Sequence, residues 1–154
     1  MVATIAKNAG VALLAALWLA GCATAPTQEM SDARQSVQAA HEAGARDYAS
    51  HHLRVAVQYL QEAERELELR YFSRARHDAV VAKSEAVKAR NVTVAIKEAE
   101  GEIAQSAAPE PVLRRATDLL LEAMQAASEG RDKKAIRLAD EARTLLRESA
   151  DPPR

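Results

Sequence analysis

The sequence predicts an all-α fold built from antiparallel helical hairpins, and three observations support this. Alanine dominates the composition, with 28 residues from Cys22 onward, and alanine is the best helix former. Only three glycines follow Cys22 and aromatic residues make up 3% of the chain, which disfavours a β-rich fold. Apolar residues recur at spacings of three and four, as on the buried stripe of an amphipathic helix.

The first two of about five predicted helices are separated by a turn at residues 44–50. Ser31 is expected to cap the first helix, and Asp47 or Ser50 the second. The second helix has a seam of apolar residues that should face one partner helix: Leu53, Ala56, Leu60, Ala63 and Leu67.

The third helix is expected to be the longest, with Ser73 as its cap. Gly101 or the β-branched run at 91–94 could interrupt it before Pro109 ends it. Its seam consists of alanine, which lets two helix backbones approach closely but buries little apolar area: Ala75, Ala79, Ala82, Ala86 and Ala89.

The fourth and fifth helices repeat the pattern of the second and third. Pro111 suits the first turn of the fourth helix, Gly130 its C-terminal end, and Asp132 the cap of the fifth. At an offset of 60 residues, nine of thirty aligned positions from Leu53 to Ala82 are identical, which predicts two equivalent αα-hairpins. The packing could resemble a helical bundle or tetratricopeptide repeats, although the period exceeds that of the latter.

The first 22 residues have the pattern of an export signal. Lys7 precedes an apolar run at 11–20, about 15 Å long as a helix and therefore too short to span a bilayer. The segment Leu19-Ala20-Gly21-Cys22 resembles the lipobox of bacterial lipoproteins. This resemblance implies cleavage between Gly21 and Cys22, a diacylglyceryl thioether on Cys22, and acylation of its amine with a chain such as palmitate.

Such a lipid anchor would hold the mature chain permanently on a membrane. Ala23 follows the cysteine, and by resemblance to enterobacterial lipoproteins it implies the outer membrane, with the protein facing the periplasm. The expected organisation is a signal peptide at 1–21, a flexible tether at 22–30, a helical domain with the first hairpin at 31–108, the second hairpin at 109–150 and a tail at 151–154.

The stretch 33–96 resembles a known family. The residues that carry the resemblance are Ala43-Gly44-Ala45, Tyr48-Ala49, the seam of the second helix, Tyr71 and the alanines from Ala75 to Ala86. The family comprises small helical bacterial lipoproteins and is catalogued as a domain of unknown function (family 4398). Its members often carry an OmpA-like domain downstream, whereas residues 110–154 show no βαβ pattern. The resemblance implies an envelope lipoprotein and brings no catalytic residue.

The search for reactive groups predicts neither an enzyme nor a cofactor or metal site. His51 and His52 are adjacent, about 100° apart on a helix, and cannot chelate one metal as an i,i+4 pair does. We expect them, with His41 and His77, to be ordinary surface residues. The glutamates at 62, 64, 66 and 68 should form a solvated face, with Glu66 paired to Arg70. Phosphate-binding and nucleophile motifs are missing from the sequence.

The net charge of −1 and the lack of a basic block argue against a nucleic-acid partner. The sequence therefore favours a lipid-anchored, non-catalytic interaction or structural protein with an envelope protein partner. Tyr71 and Phe72 are the best candidates for an interaction patch, to which Tyr48 and Tyr59 could contribute. One alternative is a self-associating coiled-coil spacer, a homo-oligomer suggested by the alanine seam at 75–96. A ligand carrier or chaperone is disfavoured because few large apolar residues are available to line a pocket.

Overall fold

The computed structural model describes residues 24–150, so the predicted signal peptide and the predicted tail at 151–154 lie outside the described residues. The described chain is all-α, as predicted, with no strand in it. None of its helices is both long and apolar enough to cross a bilayer. The six helices are α1 (Thr27–Ala43), α2 (Ala45–Tyr48), α3 (Ser50–Glu68), α4 (Phe72–Gln105), α5 (Glu110–Ser128) and α6 (Asp132–Ala150).

The long helix α4 organises the fold. It has 34 residues, about 50 Å at 1.5 Å per residue, and continues through Gly101 and the β-branched run at 91–94. Its alanine seam is fully buried against the rest of the chain, with an exposure of 0% at each position: Ala75, Ala79, Ala82, Ala86 and Ala89. The seam packs inside this chain because alanine lets neighbouring helix backbones approach α4 closely.

Helix α1 runs parallel to α4, and polar contacts mark the register. Near the start of α4, Arg76 Nε lies 2.7 Å from Glu29 Oε1 and Lys83 Nζ lies 2.8 Å from Asp32 Oδ2. Near the end of α1, Lys97 Nζ donates to the carbonyl oxygen of Ala43 at 3.1 Å. The start of α1 therefore lies beside the start of α4.

The second hairpin packs on the later part of α4. Helix α6 runs parallel to α4. Asp132 at its start shares His52 with Glu85, and further along both helices Arg143 Nη1 lies 2.7 Å from Glu98 Oε2 and Arg143 Nε lies 2.8 Å from Glu102 Oε1. One apolar core joins all six helices, and a smaller cluster of Met30, Ala33, Ala63, Ala79 and Ala82 lies under the first part of α1. The two predicted units thus share a core along α4.

The start of α1 corrects the predicted tether. The helix begins at Thr27, four residues before the predicted cap Ser31, with Pro26 at its N-cap. Residues 27–30 are therefore helical and not part of a flexible tether. Met30 is only 1% exposed, and burying a methionine side chain is worth about 1.5–3 kcal/mol, more than the ~1 kcal/mol of a typical N-cap.

The other predicted caps are also displaced. Ala49 and Tyr71 occupy the N-cap positions of α3 and α4, without side-chain cap hydrogen bonds, so Asp47, Ser50 and Ser73 do not cap as predicted. The predicted turn after α1 contains the one-turn helix α2. This helix begins directly after Gly44, whose backbone lies in the left-handed region at φ 94°. Pro111 lies in the first turn of α5, as predicted.

The two hairpin turns confirm the 60-residue repeat in their backbone geometry. In the first, the amides of Arg70 and Tyr71 donate to the carbonyls of Leu67 and Glu66; in the second, the amides of Gly130 and Arg131 donate to those of Ala127 and Ala126. Every donor and acceptor is displaced by 60 positions. Arg70 has φ 62° where the second turn has Gly130 with φ 71°, so the first turn places an arginine in a conformation that costs about 1–2 kcal/mol for a residue with a Cβ.

Candidate interaction surface and buried polar junction

The predicted aromatic patch is only partly formed. Tyr71 is 52% exposed at the first hairpin turn, and its ring lies 5.4 Å from the guanidinium carbon of Arg74. Phe72 is half-buried, and the other large apolar side chain at this turn is Leu69, which is 57% exposed. The exposed apolar surface at the turn therefore consists mainly of Leu69 and Tyr71.

The other tyrosines lie elsewhere. Tyr48 is half-buried, and its hydroxyl donates to Glu100 Oε2 at 2.7 Å, which raises the pKa of the phenol. Glu100 and Tyr71 are 29 residues apart along α4, about 44 Å of helix. The structure does not bring Tyr48 and Tyr71 together. Tyr59 is 38% exposed, in the middle of α3.

His52 forms a buried junction between α3, α4 and α6, which corrects its assignment as a surface residue. It is 8% exposed. Its Nδ1 lies 2.6 Å from Glu85 Oε2 and its Nε2 lies 2.7 Å from Asp132 Oδ1. Lys88 Nζ adds a contact of 2.6 Å to Glu85 Oε1. His41, His51 and His77 are exposed, as predicted.

The hydrogen bonds define the chemistry of this junction. An ionised carboxylate only accepts hydrogen bonds, so a ring placed between two carboxylates satisfies both when each of its nitrogens donates. Burial alone would raise the pKa of Glu85, but hydrogen bonds from Lys88 and His52 outweigh it and hold that pKa below its usual 4.5. Since both ring nitrogens of His52 are occupied, the arrangement is suited to docking α6 against α3 and α4 and not to proton transfer with a substrate.

The sequence contains a signal for the burial of His52 but none for its partners. His52 lies four residues before Ala56 and eleven before Ala63, on the buried face of α3, so helical periodicity could have placed it inside. Its partners Glu85 and Asp132 are 33 and 80 residues away. In the described part of the chain, no group of three or more histidine, cysteine, aspartate or glutamate residues is arranged to hold a metal ion.

Glu66 departs from the predicted solvated glutamate face. It is 8% exposed, and its Oε2 has no hydrogen-bond partner among residues 24–150. Burial, followed by the nearby charges of Asp78 and Glu62, raises the pKa of Glu66. The predicted i,i+4 helix pair with Arg70 is wrong because α3 ends at Glu68 and Arg70 lies in the turn with a left-handed backbone.

The outer face of α4 carries a stripe of exposed valines, here called the valine stripe: Val80, Val87 and Val94, which are 52%, 41% and 39% exposed. Their seven-residue spacing places them on one side of the helix, with exposed Ser84 and Asn91 between them. The first two valines line a groove of about 460 Å³ between α1 and α4, with Asp32, Lys83 and Lys88 among its polar walls. The groove is therefore apolar where the valines lie and charged at its walls.

Comparison with known families confirms the predicted resemblance. Residues 28–100 match the model of the family described as a domain of unknown function (DUF4398). The match covers α1, α2, α3 and most of α4, including His52, Glu66, Tyr71 and the valine stripe. No curated protein and no solved structure matches this chain.

Proposed function

We propose that this chain is a lipid-anchored cell-envelope protein whose helical domain has a non-catalytic interaction or structural role in the periplasm. The observation that carries the proposal is the segment Leu19-Ala20-Gly21-Cys22 after a charged n-region and a short apolar run. The match to the domain of unknown function is consistent with it. Ala23 after the cysteine favours the outer membrane.

The anchor is tested by the fate of Cys22 in cells. We expect Cys22→Ser, or treatment with globomycin, to leave the precursor unprocessed, and we expect the intact mass of the wild-type protein to include acyl chains and to lack residues 1–21. Ala23→Ser is a matched control because it leaves the cysteine in place. A bare thiol on the wild-type protein from native membranes would contradict the proposal.

The valine stripe supports an interaction role for the domain. Exposed valines repeated every seven residues, with Ser84 and Asn91 between them, form a narrow apolar line with polar gaps, which suits the apolar face of an amphipathic partner helix. A photo-reactive amino acid in place of Val87 should crosslink to an envelope protein in intact cells, and Val80→Asp should abolish that adduct. Leu121 is 59% exposed on a different helix, α5, and is the control position.

Self-association is the second candidate function, and it now depends on a different surface. The alanine seam that suggested it is 0% exposed within one chain, so an exposed seam on α4 would have to be the valine stripe. Sedimentation of the purified lipoprotein in detergent separates the two candidates. A monomer favours a different protein as partner, whereas a dimer that Val87→Asp dissociates favours a second copy.

A further inference from the structure

The described chain begins against the start of α4, close to the first hairpin turn. Arg76 Nη2 donates to the carbonyl oxygen of Thr24 at 3.1 Å, and its Nε lies 2.7 Å from Glu29 Oε1. Cys22 precedes Thr24 by two residues, which span at most about 7 Å of extended chain. An anchor on Cys22 would therefore be joined to the described chain at this end of the molecule.

The first hairpin turn exposes the side chains that suit a membrane surface, here called the tip: Leu69, Arg70, Tyr71 and Arg74. Leu69 and Tyr71 are more than half exposed, and both arginines are exposed. Tyrosine combines an apolar ring with a hydroxyl that prefers the headgroup level, and arginine binds phosphate. Glu68 is also exposed beside Leu69 and offsets one of the two positive charges.

The second hairpin turn shows that the fold does not require apolar residues at these positions. Its backbone hydrogen bonds are the same as those of the first turn, yet the positions equivalent to Leu69 and Tyr71 hold Glu129 and Arg131. Asp132, which follows them, pairs with His52 beside Glu85, and Glu85 lies 14 residues along α4 from Tyr71. The polar turn is thus about 20 Å further along α4 than the tip.

We propose that the tip is a membrane contact, with Leu69 and Tyr71 entering the headgroup region of the leaflet that holds the anchor and the arginines binding lipid phosphates. This inference rests on the proposed acylation of Cys22, which would tether the lipid surface to the end of the molecule that carries the tip. The contact fixes the orientation of the domain: the start of α4 lies at the membrane, and its far end extends up to about 50 Å away. The second hairpin is then presented to the periplasm.

Trp18 is the only tryptophan and lies in the predicted signal peptide, so a tryptophan introduced into the mature chain would be its only one. Its fluorescence can therefore test the membrane contact. Lipoprotein carrying Tyr71→Trp is purified from membranes and reconstituted in vesicles of phosphatidylethanolamine and phosphatidylglycerol with brominated acyl chains. We expect a blue-shifted emission and loss of intensity relative to unbrominated vesicles. Arg131→Trp, at the equivalent position of the polar turn, is the matched control and should show neither change. Adding Leu69→Glu to Tyr71→Trp should diminish the quenching.

The same samples separate failure of this inference from failure of the proposed anchor. Intact mass reads the acylation of Cys22 directly. If the thiol is bare, the mature chain is coupled to a maleimide lipid through Cys22, its only cysteine, and the quenching is measured in the same vesicles. In either preparation, the membrane contact is refuted if the indoles at positions 71 and 131 are quenched equally. It is also refuted if neither indole is quenched.

Discussion

His52 Nε2 lies 2.7 Å from Asp132 Oδ1, although 80 residues separate them in the chain. Their side chains are 10% and 22% exposed, so water screens this contact less than it screens a surface ion pair. This contact holds Asp132, the first residue of α6, against α3. It thereby docks the second hairpin on the first.

A double-mutant cycle measures this contact. With His52→Ala, Asp132→Ala and the double variant, we expect a coupling free energy of about 1.5–3 kcal/mol in urea unfolding, because the hydrogen bond has a carboxylate acceptor and is largely shielded from water. The control is Arg114 and Glu110, an i,i+4 pair with side chains 74% and 70% exposed, for which we expect about 0.5 kcal/mol or less. Equal couplings would show that the junction does not stabilise the fold.

The two hairpin turns predict opposite effects of glycine. Arg70→Gly should raise the free energy of unfolding by about 1 kcal/mol, because it removes a Cβ from a left-handed backbone, and Gly130→Ala should lower it by a similar amount. A Cβ at Gly130 would lie 3.7 Å from His51 Cδ2, an ordinary contact, so the loss would come from the backbone. The explanation fails if Arg70→Gly destabilises the protein in thermal or urea unfolding.

The alanine seam should not accept a larger residue. Ala86 is 0% exposed in the core, and Ala86→Leu should lower the free energy of unfolding by about 1–3 kcal/mol because the helices must move apart. Ala104 is exposed near the end of the same helix, and Ala104→Leu should change it by about 0.5 kcal/mol or less. Similar effects of the two substitutions would mean that the seam is loosely packed.

Gly101 offers a stabilising substitution. It lies within α4, and a Cβ built there meets no atom within 4 Å. Gly101→Ala should raise the free energy of unfolding by about 0.5–1 kcal/mol, because alanine loses less backbone entropy than glycine when a helix forms. Thermal unfolding followed by circular dichroism checks this, and an unchanged or lower melting temperature would indicate that the helix is frayed at this point.

Glu66 should make stability depend on pH. Burial raises the pKa of Glu66 above the usual 4.5. The contribution of this group to the free energy of unfolding is therefore fully present below pH 4.5 and is lost as the pH rises through the folded-state pKa. Glu66→Gln should therefore be more stable than wild type at neutral pH, and the difference should shrink as the pH falls towards 4.5. Glu68→Gln, at an exposed position two residues along the chain, is the matched control for the loss of one carboxylate. If the stability difference between Glu66→Gln and wild type does not change with pH, the raised pKa of Glu66 is refuted.

Much of the fold could be predicted because its determinants are local. The spacing of Ala75, Ala79 and Ala82 marks the buried face of a helix wherever that helix packs, and Gly130 marks a helix end because of its own backbone freedom. The start of α1 could not be predicted in this way. Its extra turn is favoured by the burial of Met30 beside Ala63 and Ala79, residues far along the chain.

The sequence by itself determined the helical class, the repeat of two hairpins and the resemblance to a family described as a domain of unknown function, because each depends on local sequence patterns. Only the tertiary structure decided which carboxylates pair with His52, that Glu66 is buried, that the alanine seam is internal, and that the valine stripe and Tyr71 remain on the surface. The physical reason is that burial and ion pairing depend on which helices meet. Contacts between residues 33 or 80 positions apart leave no periodic signal in the sequence.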